Sequence, residues 1–86
     1  MMEERIDPQT GLHRWPVYCV VRDVDFPHYA GQASTMRGAV KRAHRFGRMH
    51  GKRYTGEPYW PEACVFTGPP RERYWKVTVA KKEVFR

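Results

Sequence analysis

Alternating apolar and polar positions predict strands on either side of a helical segment. Residues 15–24, WPVYCVVRDV, are β-branched and aromatic and alternate as a half-buried strand does. Later in the chain, EACVFT and RYWKVTVAKKEVF are predicted as a second and a third strand, separated by the turn sequence GPPRE. The inward face of the first strand comprises Val17, Cys19 and Val21, and that of the third comprises Trp75, Val77 and Val79.

The segment between these strands has the period of an amphipathic helix. Ser34 or Thr35 is predicted to be the N-cap, and the helix runs to about His50 with Gly51 as its C′ residue. The preceding DFPHYAGQAS reads as a loop in which residues 28–30 could form a short returning strand, and residues 51–61 read as a connection. An apolar stripe about 120° wide would pack on the sheet. Its members are Met36, Ala39, Val40, Ala43, Phe46 and Gly47.

Together these elements predict a small α+β domain of order β-α-β-β, with the helix on one face of a three-stranded, mostly antiparallel sheet. The 86 residues form a single domain, in which residues 1–14 are an N-terminal arm with little order of its own. A chain of this length buries only about 60% of its unfolded surface, which disfavours a large enzyme site. The expected helix contacts are Met36, Val40, Ala43 and Gly47, and Gly47 indicates a close approach to a strand.

The net charge of +7 is concentrated in one segment. No acidic residue occurs between Asp25 and Glu57, whereas the nine acids and the remaining nine cations of the chain balance each other. On a helix, like charges three or four residues apart repel, so this face is unfavourable alone and is relieved by an anionic partner. The seven cations of the segment are Arg37, Lys41, Arg42, Arg45, Arg48, Lys52 and Arg53.

This charge pattern favours a non-enzymatic nucleic-acid-binding protein, for either DNA or RNA, whose helix lies along a phosphate backbone. Arg37, Lys41, Arg45 and Arg48 are the expected phosphate contacts. Aromatic residues near the connection and the last two strands, interleaved with arginines, would suit the stacking of bases. Together the predicted binding residues are the seven cations with Tyr54, Tyr59 and Tyr74, whereas Trp75 is expected in the core.

Three alternatives remain open. The basic stretch can be a solvated face, with some guanidinium groups bonded to Asp23, Asp25 or Glu57. It can also dock on an acidic protein surface, as a protein-interaction module or inhibitor. In size, charge and mixed β and α order, the chain is similar to the small accessory proteins of bacteriophages, which often block a host machine, although no motif carries the likeness. A small metal-independent ribonuclease is the third alternative, because Arg, Lys, Tyr and His suffice for such chemistry.

Other classes of site find little support in the sequence. The four histidines have no metal-ligand spacing and are expected at the surface or at caps, and no cofactor motif or small-molecule site is predicted. Cys19 and Cys64 lie in apolar stretches and are expected to be buried thiols. No apolar run is long enough to span a membrane, and the N-terminus is acidic and polar, so a cytoplasmic location is expected.

Overall fold

A computed structural model describes residues 5–6, 13–22, 24 and 26–81, with residues 5–6 described by their backbone alone. These residues form five strands and one helix. In chain order the elements are β1 (Arg5–Ile6), β2 (His13–Val21), β3 (Pro27–Ala33), α1 (Met36–Thr55), β4 (Tyr59–Thr67) and β5 (Tyr74–Lys81). Most of the arm predicted over residues 1–14 lies outside the described residues, but β1 pairs with the first two residues of β2.

Four of the strands form a mixed sheet in the order β3-β2-β5-β4. The outer pairs, β2 with β3 and β4 with β5, are antiparallel hairpins, and the central pair, β2 with β5, is parallel. Helix α1 connects β3 at one edge to β4 at the other and contacts all four strands. The α+β class with one helix among the described residues is therefore confirmed.

The predicted β-α-β-β order needs correction because β3 is a full strand of the sheet. Its sequence, PHYAGQA, has no clear alternation, and its pairing with β2 shifts register between Pro16 and Tyr18. Gly31 has a φ of 101°, a conformation that glycine adopts without steric cost. An irregular edge strand of this kind carries little local signal. The sequence therefore indicated at most residues 28–30.

The core lies between α1 and the inward face of the two central strands. Val17, Cys19, Val77 and Val79 are completely buried, and Cys19 lies beside Val77 in the parallel ladder. The alternation of the sequence predicted this face correctly. Trp75 is buried as expected, and its indole Nε1 donates a hydrogen bond of 3.0 Å to the carbonyl oxygen of Ala33 at the end of β3.

The helix packs on the sheet through a row of small residues four positions apart, namely Ala39, Ala43, Gly47 and Gly51. A Cβ atom on Gly47 would lie 2.6 Å from the carbonyl oxygen of Tyr59, so the glycine allows the helix backbone to contact β4. This confirms the expected close approach at Gly47. Met36 was wrongly expected in the contact: it is 53% exposed, because it is the first residue of α1 and lies at the end of the helix, ahead of the small-residue row that makes the approach.

Both ends of α1 have caps. The Thr35 side chain accepts a hydrogen bond of 3.1 Å from the Gly38 amide, so Thr35 is the N-cap. The helix continues past the predicted end at Gly51 to Thr55, and Gly56 closes it with a left-handed φ of 79°. Gly51 was wrongly assigned to the end because its lack of a side chain serves packing against the backbone of residues 57–59 instead.

The predicted strand limits also shift. The first strand begins earlier and ends at Val21, and the predicted connection over residues 51–61 is taken up by the last turn of α1, a short link and the start of β4 at Tyr59. Pro61 is tolerated within β4 because β4 is an edge strand of the described sheet, with a register shift between Pro61 and Ala63.

Candidate nucleic-acid interface

Five cations of α1 form a continuous basic surface on the side of the helix that faces away from the sheet. All five are exposed, and at about 100° per residue they fall within an arc of about 80°. At a rise of about 1.5 Å per residue, the surface extends about 22 Å along the helix. We call it the basic stripe; its residues are Arg37, Lys41, Arg45, Arg48 and Lys52.

No carboxylate of the described residues neutralises the basic stripe. Glu57, which the sequence left open as a partner, lies 3.7 Å from the Lys81 ammonium instead. Glu62 lies 3.3 Å from the Arg22 guanidinium. Asp23 and Asp25, the other candidate partners, lie outside the described residues. Within the described part of the chain, the stripe therefore presents its positive charge to solvent.

Arg42 and Arg53 belong to the flank of the helix above β3 and not to the stripe. The Arg42 side chain lies across Gly31, where an added Cβ atom would come within 3.4 Å of Arg42 Nη1. The Arg53 guanidinium lies 5.6 Å from the centre of the Tyr54 ring. Both residues are exposed, but they are turned away from the centre of the stripe. The structure therefore divides the seven predicted cations into five and two.

Two shallow grooves adjoin the stripe. One, of about 430 Å³, lies on the stripe itself and is lined by Lys41, His44, Arg45, Arg48, Met49 and Lys52. The other, of about 590 Å³, lies between α1 and β4 and is lined by Met36, Arg37, Val40, Lys41, His44 and Pro61. The first groove is mostly cationic, whereas the second combines cations with apolar side chains.

The three predicted tyrosines do not form one site. Tyr54 is 66% exposed near the end of α1, beside Arg53. Tyr59 is only 9% exposed and belongs to the core, so its assignment to the binding surface was wrong. The sequence predicts a connection at residue 59, whereas Tyr59 starts β4 beneath Gly47. Tyr74 is half-buried and is the first residue of β5.

Trp60, on the edge strand β4, places an aromatic ring beside His44, which lines both grooves. Its ring stacks on His44 at a centroid distance of 4.9 Å and an interplanar angle of 29°. His44 Nε2 is buried and has no hydrogen-bond partner within the described residues. The stack fixes the imidazole at the border of both grooves.

The fold also brings together two histidines that the sequence treated as separate surface residues. The rings of His28 on β3 and His50 on α1 are 5.0 Å apart, and both residues are half-buried. The pKa of His50 is lowered from its usual 6.5 by burial, by His28 and by Arg53. Burial and these two neighbours therefore favour the neutral form of His50. The pair was missed because it requires β3 to lie beside the helix.

The two cysteines lie on the sheet, Cys19 buried and Cys64 half-buried. Cys19 and Cys64 both lie beside Val77, on the two strands that flank β5, and both are free thiols. Burial, with a contribution from Cys64, raises the pKa of Cys19 to about 12, and burial also raises the pKa of Cys64. Among the described residues, no group of three or more His, Cys, Asp or Glu side chains could hold a metal ion.

Comparisons with protein-family models, with curated proteins and with solved structures find no match to this chain. In the described part of the chain, α1 is neither apolar enough nor uncharged enough to cross a membrane.

Proposed function

We propose that this chain is a non-enzymatic nucleic-acid-binding protein whose helix α1 lies along a phosphate backbone. The observation that carries the proposal is the basic stripe, five exposed cations with no carboxylate partner among the described residues. Lysine and arginine side chains that neutralise phosphates release condensed counterions, and this release drives binding. The chain's net charge of +7 adds long-range attraction.

The shape of the stripe supports contact with one backbone. A surface that covers about 80° of the helix can contact a single row of phosphates. The sheet occupies the opposite side of α1. Asparagine and glutamine, which pair in a bidentate way with adenine, do not occur in α1. Arg48 and Arg45 can still bond to guanine, but most of the expected contact is to phosphate. We therefore expect binding that depends strongly on salt and weakly on sequence.

The test is the affinity for a labelled duplex, measured by fluorescence anisotropy at low salt. Arg45→Glu removes a central cation of the stripe, and Arg71→Glu, in the exposed turn before β5, makes the same change in net charge elsewhere. We expect micromolar or tighter binding for the unmodified chain, a clear loss for Arg45→Glu and a much smaller loss for Arg71→Glu. Equal losses would assign the binding to net charge alone, and absence of binding would refute the proposal.

A second candidate partner is an acidic protein surface, because the groove between α1 and β4 places apolar side chains beside the stripe. Met36, which is 53% exposed, lines it with Val40 and Pro61. A phosphate backbone offers no apolar surface that could cover these side chains, whereas a protein partner could bury them. Affinity purification after nuclease treatment separates the two candidates. A stoichiometric protein that stays bound and is lost with Arg45→Glu supports this second partner.

A further inference from the structure

The face of the sheet opposite α1 carries three tyrosines in contact. Val17 and Cys19 point under the helix, so Tyr18, between them on β2, points to the opposite face. The Tyr18 ring lies 6.0 Å from Tyr29 on β3 and 5.4 Å from Tyr74 on β5, both in edge-to-face arrangements. These three residues form a row across three adjacent strands, which we call the tyrosine row.

The tyrosine row is accessible and not part of the core. Tyr29 is 56% exposed, and Tyr18 and Tyr74 are half-buried. The helix packs on the other face, and no other described segment packs over the row. Three aromatic rings therefore contact one another outside the core, and the ring of Tyr29 is the most accessible of them to a planar ligand.

Cationic and apolar groups continue this surface toward β4. Lys76 is exposed and lies beside Tyr18 in the parallel ladder. On its other side in the sheet is Val65, which is 55% exposed. No ion pair joins Lys76 to Glu57, Glu62 or Glu72, the glutamates of the described residues; Glu57 contacts Lys81 and Glu62 contacts Arg22. An ammonium group is therefore available next to the aromatic rings.

We propose that the tyrosine row binds unpaired bases of single-stranded nucleic acid by stacking, with Lys76 contacting the backbone phosphate. Because neighbouring rings meet edge to face, the row offers ring faces to individual bases and not one continuous platform. The aromatic rings favour a ligand with planar groups that can stack on them. The positive charge of the chain favours an anionic ligand. The site shares its ligand class with the proposed function, on which it rests to that extent, but lies on the opposite side of the sheet.

The test uses a labelled oligothymidine about ten nucleotides long, titrated by fluorescence anisotropy. Tyr29→Leu removes the most exposed ring of the row, and we expect about 5-fold to 100-fold weaker binding of the single strand. Tyr29→Phe keeps an aromatic ring and should bind like the unmodified chain. Phe26→Leu removes a ring that is 61% exposed beside His28, on the side of the sheet that carries α1, and should have little effect on the single strand. Circular dichroism checks that each variant is folded.

The outcomes separate this site from the basic stripe. If Tyr29→Leu weakens binding of the single strand but not binding of the duplex, both proposals stand. If the duplex binds through the basic stripe while Tyr29→Leu leaves the affinity for oligothymidine unchanged, the proposal for the tyrosine row is refuted and the proposed function stands. If neither nucleic acid binds the unmodified chain, both proposals fail. Conversion of a dimer to a monomer by Tyr29→Leu, with oligothymidine affinity unchanged, would assign the face to a second copy of the chain and overturn this inference.

Discussion

The carbonyl oxygen of Tyr59 faces Gly47 so closely that a Cβ atom on the glycine would lie 2.6 Å from it. This relationship sets the distance between α1 and the edge strand β4. It also fixes the direction of the basic stripe, because the helix can rest on the sheet only through its row of small residues. The outward surface is thus a consequence of the packing beneath it.

Gly47→Ala should therefore destabilise the fold. The gain in helix propensity of about 1 kcal/mol is opposed by overlap with backbone atoms, which cannot move aside as a side chain can. We expect a net loss of about 1–3 kcal/mol in the free energy of unfolding, measured by urea denaturation. Gly38→Ala is the control, since its Cβ would meet only side-chain atoms, at 3.3 Å and beyond. Equal stability of the two variants would contradict the close approach.

The N-cap assignment predicts different effects at two neighbouring hydroxyl residues. Thr35→Ala removes the acceptor of the Gly38 amide and should cost about 1 kcal/mol in the free energy of unfolding. Ser34→Ala removes a similar hydroxyl that does not cap the helix and should cost much less. The same denaturation measurement checks both variants. A larger loss of stability for Ser34→Ala would contradict this assignment and make Ser34 the N-cap.

Burial predicts that the thiols react slowly in the folded protein. With its pKa raised to about 12, Cys19 has almost no thiolate at pH 8, and Cys64 is half-buried with its pKa also raised. Alkylation by iodoacetamide, followed by mass spectrometry, should modify Cys64 first and Cys19 only under denaturing conditions. Rapid labelling of Cys19 in the folded chain would contradict its place beneath α1.

The lowered pKa of His50 predicts that the fold loses stability in mild acid. Its pKa is lowered in the folded state, by burial, His28 and Arg53, so the unfolded chain binds the proton more readily. The contribution is present above the ordinary pKa of about 6.5 and is lost as the pH falls below it. The other ring contacts of His50 are with Phe46, Tyr54 and Tyr59, so no carboxylate is among them.

The measurement is the free energy of unfolding between pH 7.5 and 5, compared with that of His50→Gln. The variant should lose part of the acid dependence. An unchanged slope in the variant would show that His50 does not contribute.

Local patterns were enough to predict the core and the position of the helix. Val17 and Cys19 alternate with Tyr18, and Val77 and Val79 alternate with Lys76, so the inward faces follow from the period of the strand. The outward direction of the basic stripe follows in the same way from the helical period. These features depend on residues close together in the sequence.

Features that depend on distant pairing were missed. Gly51 reads as a helix end, and only the position of β4 makes it a packing residue. The tyrosine row requires β3 and β5 on opposite sides of β2, and the parallel pairing of β2 with β5 has no local signal. Tyr59 was placed on the surface because the start of β4 was not recognised.

The salt dependence of duplex affinity tests the central claim most directly. If four cations of the basic stripe each neutralise one phosphate, the logarithm of the association constant should fall against the logarithm of salt concentration with a slope of about −3.6. Arg45→Glu/Arg48→Glu should reduce the steepness to about −1.8 or less. A slope near zero for the unmodified chain, or the same slope for both proteins, would contradict the assignment of the phosphate contacts to α1.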